Sequence, residues 1–269
     1  MPKADVDLGY AIRLKPEEAI AYFESKGYAT GFNWHDIEAR AHATSFTVAG
    51  VLKQDVLEDI HKSLREHIVN GGTLRDFERL ITPTLIRKGW LADRARLVAD
   101  EDGVLEGKQL TPRRLRTIFE TNMQAAYGAG RYAEQMANAE FRPIWERVAV
   151  MDMHTRPLHA RLNGFTARYD DPVWQFMYPP DGYHCRCRIR ARTQADADRM
   201  GIEVKSWEQD IVTVQQAWGP KETRDVKALR FNGELYTPDA GFGHNPGQGW
   251  LSSLGQRLMD KSATTTPRI

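Results

Sequence analysis

The chain has 269 residues, 41% of them hydrophobic and 27% charged, enough for one large or two modest globular domains. A formal net charge of +1 excludes a global field suited to nucleic acid or a membrane surface, so any such contact must be local. No apolar run reaches the ~18 residues of a membrane span. The opening MPKADVDLGY lacks the basic-then-apolar pattern of a signal peptide, so a cytosolic chain without a membrane partner is expected.

From Pro16 to Ala137 the sequence reads as helices separated by caps. Pro16 opens a segment with Ala19, Ile20 and Phe23 at helical spacing, and Gly27 is read as its C-terminal glycine. Asn33 is read as the cap of a second helix carrying Trp34, Ile37 and Ala41. Leu52, Val56, Leu57, Ile60, Leu64 and Ile68 make one apolar stripe that stops at Asn70-Gly71-Gly72. Thr73, with Asp76 three residues on, caps the next helix, which Pro83 is expected to interrupt. The longest pattern starts at Thr111-Pro112 and runs to about Ala137. Gly128 and Gly130 each weaken a helix by about 1 kcal/mol relative to alanine, so their presence predicts that another backbone packs closely there.

After Phe141 the period becomes two. Val148, Val150 and Asp152 fall on one side of a strand, with Trp145, Ala149 and Met151 on the other. A loop-rich stretch to Tyr183 carries Asn163-Gly164, Asp170-Asp171-Pro172 and Pro179-Pro180-Asp181-Gly182 as turn signals, and a second strand is expected from Cys185. Then come an amphipathic segment around Trp207, a hairpin at Asn232-Gly233, a Gly/Pro-rich stretch from Pro238 to Gly249, and a last dozen residues that read as disordered.

The run from Cys185 to Arg192 carries the most chemistry. As a strand it places Arg186, Arg188, Arg190 and Arg192 on one face and Cys185, Cys187, Ile189 and Ala191 on the other. The two cysteines, the only ones in the chain, are one residue apart, a spacing that strains a mutual disulfide. One reading makes them buried small hydrophobes. Another makes them ligands of a structural zinc together with His159 and one of His154, Asp152 or His184. A third pairs a thiolate with His154 or His159 as a hydrolase. The arginine face is either solvated or a contact for DNA phosphates or an acidic protein surface. Asp152 is placed to hydrogen-bond backbone amides at the strand end. There is no P-loop, GxGxxG, HExxH or GxSxG.

The stretch from Asp152 to Gly164, DMHTRPLHARLNG, is followed by Asp171-Pro172-Val173-Trp174 and by PPDGYHCRCR from Pro179 to Arg188. Together these resemble the core of the phage Mu F-like head morphogenesis family, related to the minor head proteins of SPP1-type phages. The likeness extends upstream to Phe119-Glu120-Thr121-Asn122 and Arg131, and downstream to Pro238–Gly247. Where many relatives carry a CxxC pair this chain has Arg156 and His159, so the four-ligand zinc pattern is altered. The resemblance implies a minor head component rather than an enzyme. It would be present in few copies inside the procapsid near the portal, with portal, major capsid or scaffold protein as partners. The same resemblance implies contact with packaged DNA and entry into the host with it.

The expected fold is therefore α+β and mostly α. Residues 1–110 form a helical region, 111–200 a long helix leading into a small few-stranded core, and 201–269 a partly irregular C-terminal arm. The rival readings are a DNA-contacting accessory factor and a Cys/His-based or toxin-related enzyme.

Overall fold

The computed structural model describes residues 16–33, 35, 41 and 43–265, with side chains to residue 257. The fold is α+β and mostly helical. Helices α1 (Glu17–Glu24), α2 (Gln54–Asn70), α3 (Leu74–Arg87) and the first two-thirds of α4 (Pro112–Ala137) enclose one core. The short parallel pair β1 (Gly27–Tyr28) and β2 (Ser45–Phe46) and the hairpin β3 (Leu97–Ala99) and β4 (Leu105–Lys108) lie beside it.

The apolar stripe of α2 buries Val56, Leu57, Ile60, Leu64 and Ile68, and Gly71 ends the helix in the left-handed conformation at φ 72°. Thr73 and Asp76 cap α3 reciprocally, each satisfying a backbone N–H of the first turn. Pro83 does not interrupt this helix, which continues to Arg87. The cost is one backbone hydrogen bond and local crowding; Phe77, Ile81 and Leu85, all buried, hold the element on both sides of it. Gly27 is likewise not a helix cap: α1 stops at Glu24 and Gly27 opens β1. The helix read after Asn33 lies mostly outside the described residues.

Helix α4 starts at Thr111, whose side chain accepts from the Arg114 amide, with Pro112 at the first helical position. It persists through both glycines. A Cβ on Gly128 would sit 2.9 Å from the Pro179 carbonyl oxygen, and one on Gly130 would sit 2.8 Å from the Ala19 amide nitrogen. The second approach is α1 crossing α4. Gly130→Ala should therefore lower stability by about 1–3 kcal/mol through overpacking, against a helix-propensity gain of about 1 kcal/mol. Urea unfolding checks the sign, and a net stabilisation would show that the crossing gives way.

The second core lies beyond Tyr132. Sheet β6-β5-β7 is antiparallel, with β5 (Ile144–Val148) in the centre, β6 (Thr166–Arg168) on one edge and β7 (Arg188–Arg192) on the other. Trp145 is fully buried there among Tyr132, Trp174 and Tyr178. Short helices α5 (Pro157–Arg161) and α6 (Trp174–Met177) fill the loop-rich stretch, and α7 (Gln194–Arg199) follows β7. Strand β6 has no clear sequence signal because only three residues pair.

The C-terminal arm is more regular than its glycine and proline content predicts. Strands β8 (Ile211–Ala217), β9 (Thr223–Phe231) and β10 (Glu234–Tyr236) form a meander, turned at Asn232 and Gly233 with positive φ as the hairpin reading requires. Trp207 lies in no helix of its own; its ring packs on Phe165 and Phe231. Helix α8 (Pro246–Thr265) reaches into the last dozen residues and packs along α4. Asn245 accepts from the Gln248 amide at its start and Trp250 joins the first core. No helix among the described residues is long and apolar enough to cross a membrane.

Candidate functional site

Strand β5 ends at Val148, and the chain turns at Asp152. The Asp152 carboxylate accepts from the His154 amide at 3.0 Å and from both terminal nitrogens of Arg186, at 2.6 and 2.5 Å. This pins the turn to the cysteine segment. Hydrogen bonding, from Arg186 foremost, holds the Asp152 carboxyl well below the usual carboxylate range. A depressed folded-state pKa means that the stabilisation is complete above the ordinary carboxylate range and is lost as pH falls through and below it. Protection of the His154 amide from hydrogen exchange should accordingly be constant near neutrality and collapse in acid. Constant protection down to the acid limit would remove Asp152 as the clasp.

Pro157 then starts α5, whose single turn and a half delivers His159 to the interior. On the other side, the segment after β6 and α6 passes Asp181 and enters the cysteines. From Cys185 to Arg190 burial alternates as the period-two reading expects, with Cys185, Cys187 and Ile189 buried and the arginines outward. The regular pairing of β7 begins only at Arg188.

His159, Cys185 and Cys187 are all buried, and their donor atoms lie within 4.8 Å of one another. His159 Nδ1 is 3.7 Å from Cys185 Sγ and 3.5 Å from Cys187 Sγ. A tetrahedral zinc, bound to sulfur at about 2.3 Å and nitrogen at about 2.0 Å, separates such donors by about 3.6 Å. The spacing and the donor types both fit that ion. The Cys187 thiol is lowered to about 7 by the hydrogen bond from Cys185, against burial and with help from Arg147, while the Cys185 thiol is pushed up in turn. One thiolate near neutrality is what a metal needs to enter. A cavity of about 240 Å³ opens over the trio, with His154, Arg156 and His184 on its wall.

Three residues that the sequence did not mark complete the centre. Arg147, on the inward side of β5 between Trp145 and Ala149, is fully buried and pairs with the fully buried Asp181; its Nη1 donates to Asp181 Oδ1 at 3.1 Å and to the Met177 carbonyl at 3.0 Å. Burial pulls against the Arg147 charge, but Asp181 beside it raises its pKa well above the usual value. The Tyr236 hydroxyl, from β10, donates to the same carboxylate. Asp181 Oδ2 lies 4.0 Å from His159 Nε2, behind the face that meets the sulfurs. At that distance the carboxylate is a neighbour of the imidazole and not its hydrogen-bond partner. A charged residue at an inward strand position was a readable signal for Arg147. Asp181 was hidden in a Pro-Pro-Asp-Gly run that reads as a turn.

Among the other predicted residues, Asp152 and His154 are exposed and outside the three-residue cluster, His154 on the cavity wall and Asp152 bound to Arg186. Glu146 receives Arg192 at 2.6 Å and Arg190 at 3.8 Å and Asp152 receives Arg186, so two carboxylates stand against the four arginines of this face. Arg188, exposed, has no ion pair among the described residues. Arg156, on the cavity wall, pairs with Asp239 at 2.7 Å and donates to the Tyr183 carbonyl. Gly182 lies beneath that pair, where a Cβ would meet Asp239 Oδ2 at 2.1 Å. His184, at φ 60°, binds Glu120 of α4 through Nδ1.

The family described as "Phage Mu protein F like protein" matches residues 58–190, a span that runs from α2 through the cysteines. A protein of Escherichia phage Mu named "Putative capsid assembly protein F" is 41% identical over 254 residues, which cover 92% of this chain. The chain is a phage Mu F-like protein. The "Mu-like prophage FluMu F protein" of Haemophilus influenzae is 36% identical over 222 residues, 80% of the chain. The chain spans about half the length of these curated relatives, 57% and 52% respectively. No solved structure gives a significant match.

Proposed function

We propose that this Mu F-like chain is a minor structural component of a tailed-phage head, acting in head morphogenesis inside the procapsid near the portal. The observation that carries the reading is the 41% identity across 92% of the chain to a protein named for capsid assembly. Its partners would be portal, major capsid or scaffold protein, and its place the virion interior after assembly in the host cytoplasm. The division at residues 110 and 200 enters the same reading, with the helical region and the arm flanking the family core.

His159, Cys185 and Cys187 would hold a structural zinc, leaving the fourth position to a group on the cavity side. Bound there, the ion ties α5 to the start of β7 and so closes the loop-rich stretch. The near-equal approach of Nδ1 to both sulfurs favours a shared ion over a nucleophile–base pair, which needs one privileged sulfur. That supports a structural over an enzymatic role. Engagement of Arg186, Arg190 and Arg192 by Asp152 and Glu146 counts against the DNA-contacting alternative.

The test is assembly from the phage genes with this gene intact or interrupted, scoring head yield and infectious titre and probing purified heads for the protein. Presence in the heads and a loss of titre are expected. Its absence from heads with titre unchanged would sink the reading.

A further inference from the structure

A zinc held by two sulfurs and one imidazole has one coordination position left, and what fills it separates a closed structural site from one open to solvent. The cavity of about 240 Å³ opens over His159, Cys185 and Cys187, so a fourth ligand comes from its wall. Beyond the trio, only two of the described lining residues carry a donor of the kinds zinc takes, His154 and His184. His184 shares the exposed side of its segment with Arg186, while Cys185 between them is buried, and its Nδ1 is already held by Glu120 of α4. His154 is exposed, and its ring has no hydrogen-bond or ion-pair partner among the described residues.

The turn that carries His154 is fastened to the cysteine segment. Asp152 accepts the His154 amide and both terminal nitrogens of Arg186, and Arg186 Nη2 also donates to Thr155 Oγ1 at 3.3 Å. Arg186 stands between the two cysteines, so this clasp fixes the backbone of His154 beside them and leaves only the ring to turn. We infer that His154 is the fourth zinc ligand, its imidazole swinging from solvent into the cavity as the ion binds. The inference rests on the zinc reading proposed above and completes it. Two thiolates balance the dication, so a site closed by a neutral imidazole carries no net charge beside the buried Arg147–Asp181 pair. A carboxylate in the same place would leave a net negative charge, and Asp152 is engaged by Arg186. The ion then ties three segments together: the turn after β5, helix α5 and the start of β7.

The test follows the histidine ring nitrogens of the nitrogen-15-labelled full chain by NMR as zinc is added, with the His154 signals assigned by their loss in His154→Ala. One ring nitrogen of His154 is expected to move to the position of a metal-bound nitrogen together with one of His159. Competition with a chelator should show zinc held at least about ten-fold more weakly by His154→Ala. His154→Cys, which offers a thiolate from the same place, should recover most of that loss, and His184→Ala should leave the affinity unchanged. Because His154 is exposed, these replacements leave both cores intact. Movement of His159 with His154 still, or wild-type affinity in His154→Ala, would overturn the fourth ligand while the zinc itself stands. If no zinc binds and neither ring moves, the zinc reading fails and the inference with it.

Discussion

Replacing Cys185 and Cys187 together by serine is expected to release about one zinc per chain and to lower the midpoint of thermal unfolding by roughly 10 °C or more. The expectation follows from three buried donors already spaced for the ion. Serine keeps the volume nearly constant, so without a metal the same change would cost only the ~1–3 kcal/mol of a polar group placed in a small core. Two measurements separate the cases. Elemental analysis counts the ion in protein purified without added metal, and a zinc chelator applied to the wild type should reproduce most of the drop. If no zinc is found and the chelator changes nothing, the cysteines are core thiols beside Ala149 and the metal clip is wrong.

The second large effect belongs to Asp181. Asp181→Ala leaves the Arg147 guanidinium and the Tyr236 hydroxyl buried without their acceptor, and the penalty for stranding a buried charge is about 3–5 kcal/mol. Removing both charges in Arg147→Met with Asp181→Leu should restore most of that, leaving only the Tyr236 hydroxyl without its acceptor. Urea unfolding of the two single variants and the double variant forms the cycle. Single and double variants that fall equally would show that the pair's worth lies in shape rather than charge.

Local chemistry was legible where a few neighbouring residues decide it. Thr111-Pro112 and Thr73 with Asp76 announce helix starts because side chain and backbone satisfy each other within one turn. The alternation of Cys185, Cys187 and Ile189 with arginines was legible because a strand has no other way to arrange them. Gly128 and Gly130 even foretold a close backbone crossing, though not which segments cross. What could not be read was convergence. Arg147, Asp181 and Tyr236 meet from positions 34 and 55 residues apart, and no local period records that. Pro83 was misjudged because its penalty is local while the buried stripe that overrides it is tertiary. The regularity of the C-terminal arm was hidden for a similar reason, its longest strands being half exposed and polar on one side.

Helix α4 gives Leu115 through Ala129 to one core and Tyr132 to the other. A rod shared in this way acts as an axle. A push that turned its helical end would carry the Tyr132 ring away from Trp145 and Tyr178, and would drag Glu120 from His184, which stands next to Cys185. A displacement at either end of the helix is therefore felt in both cores.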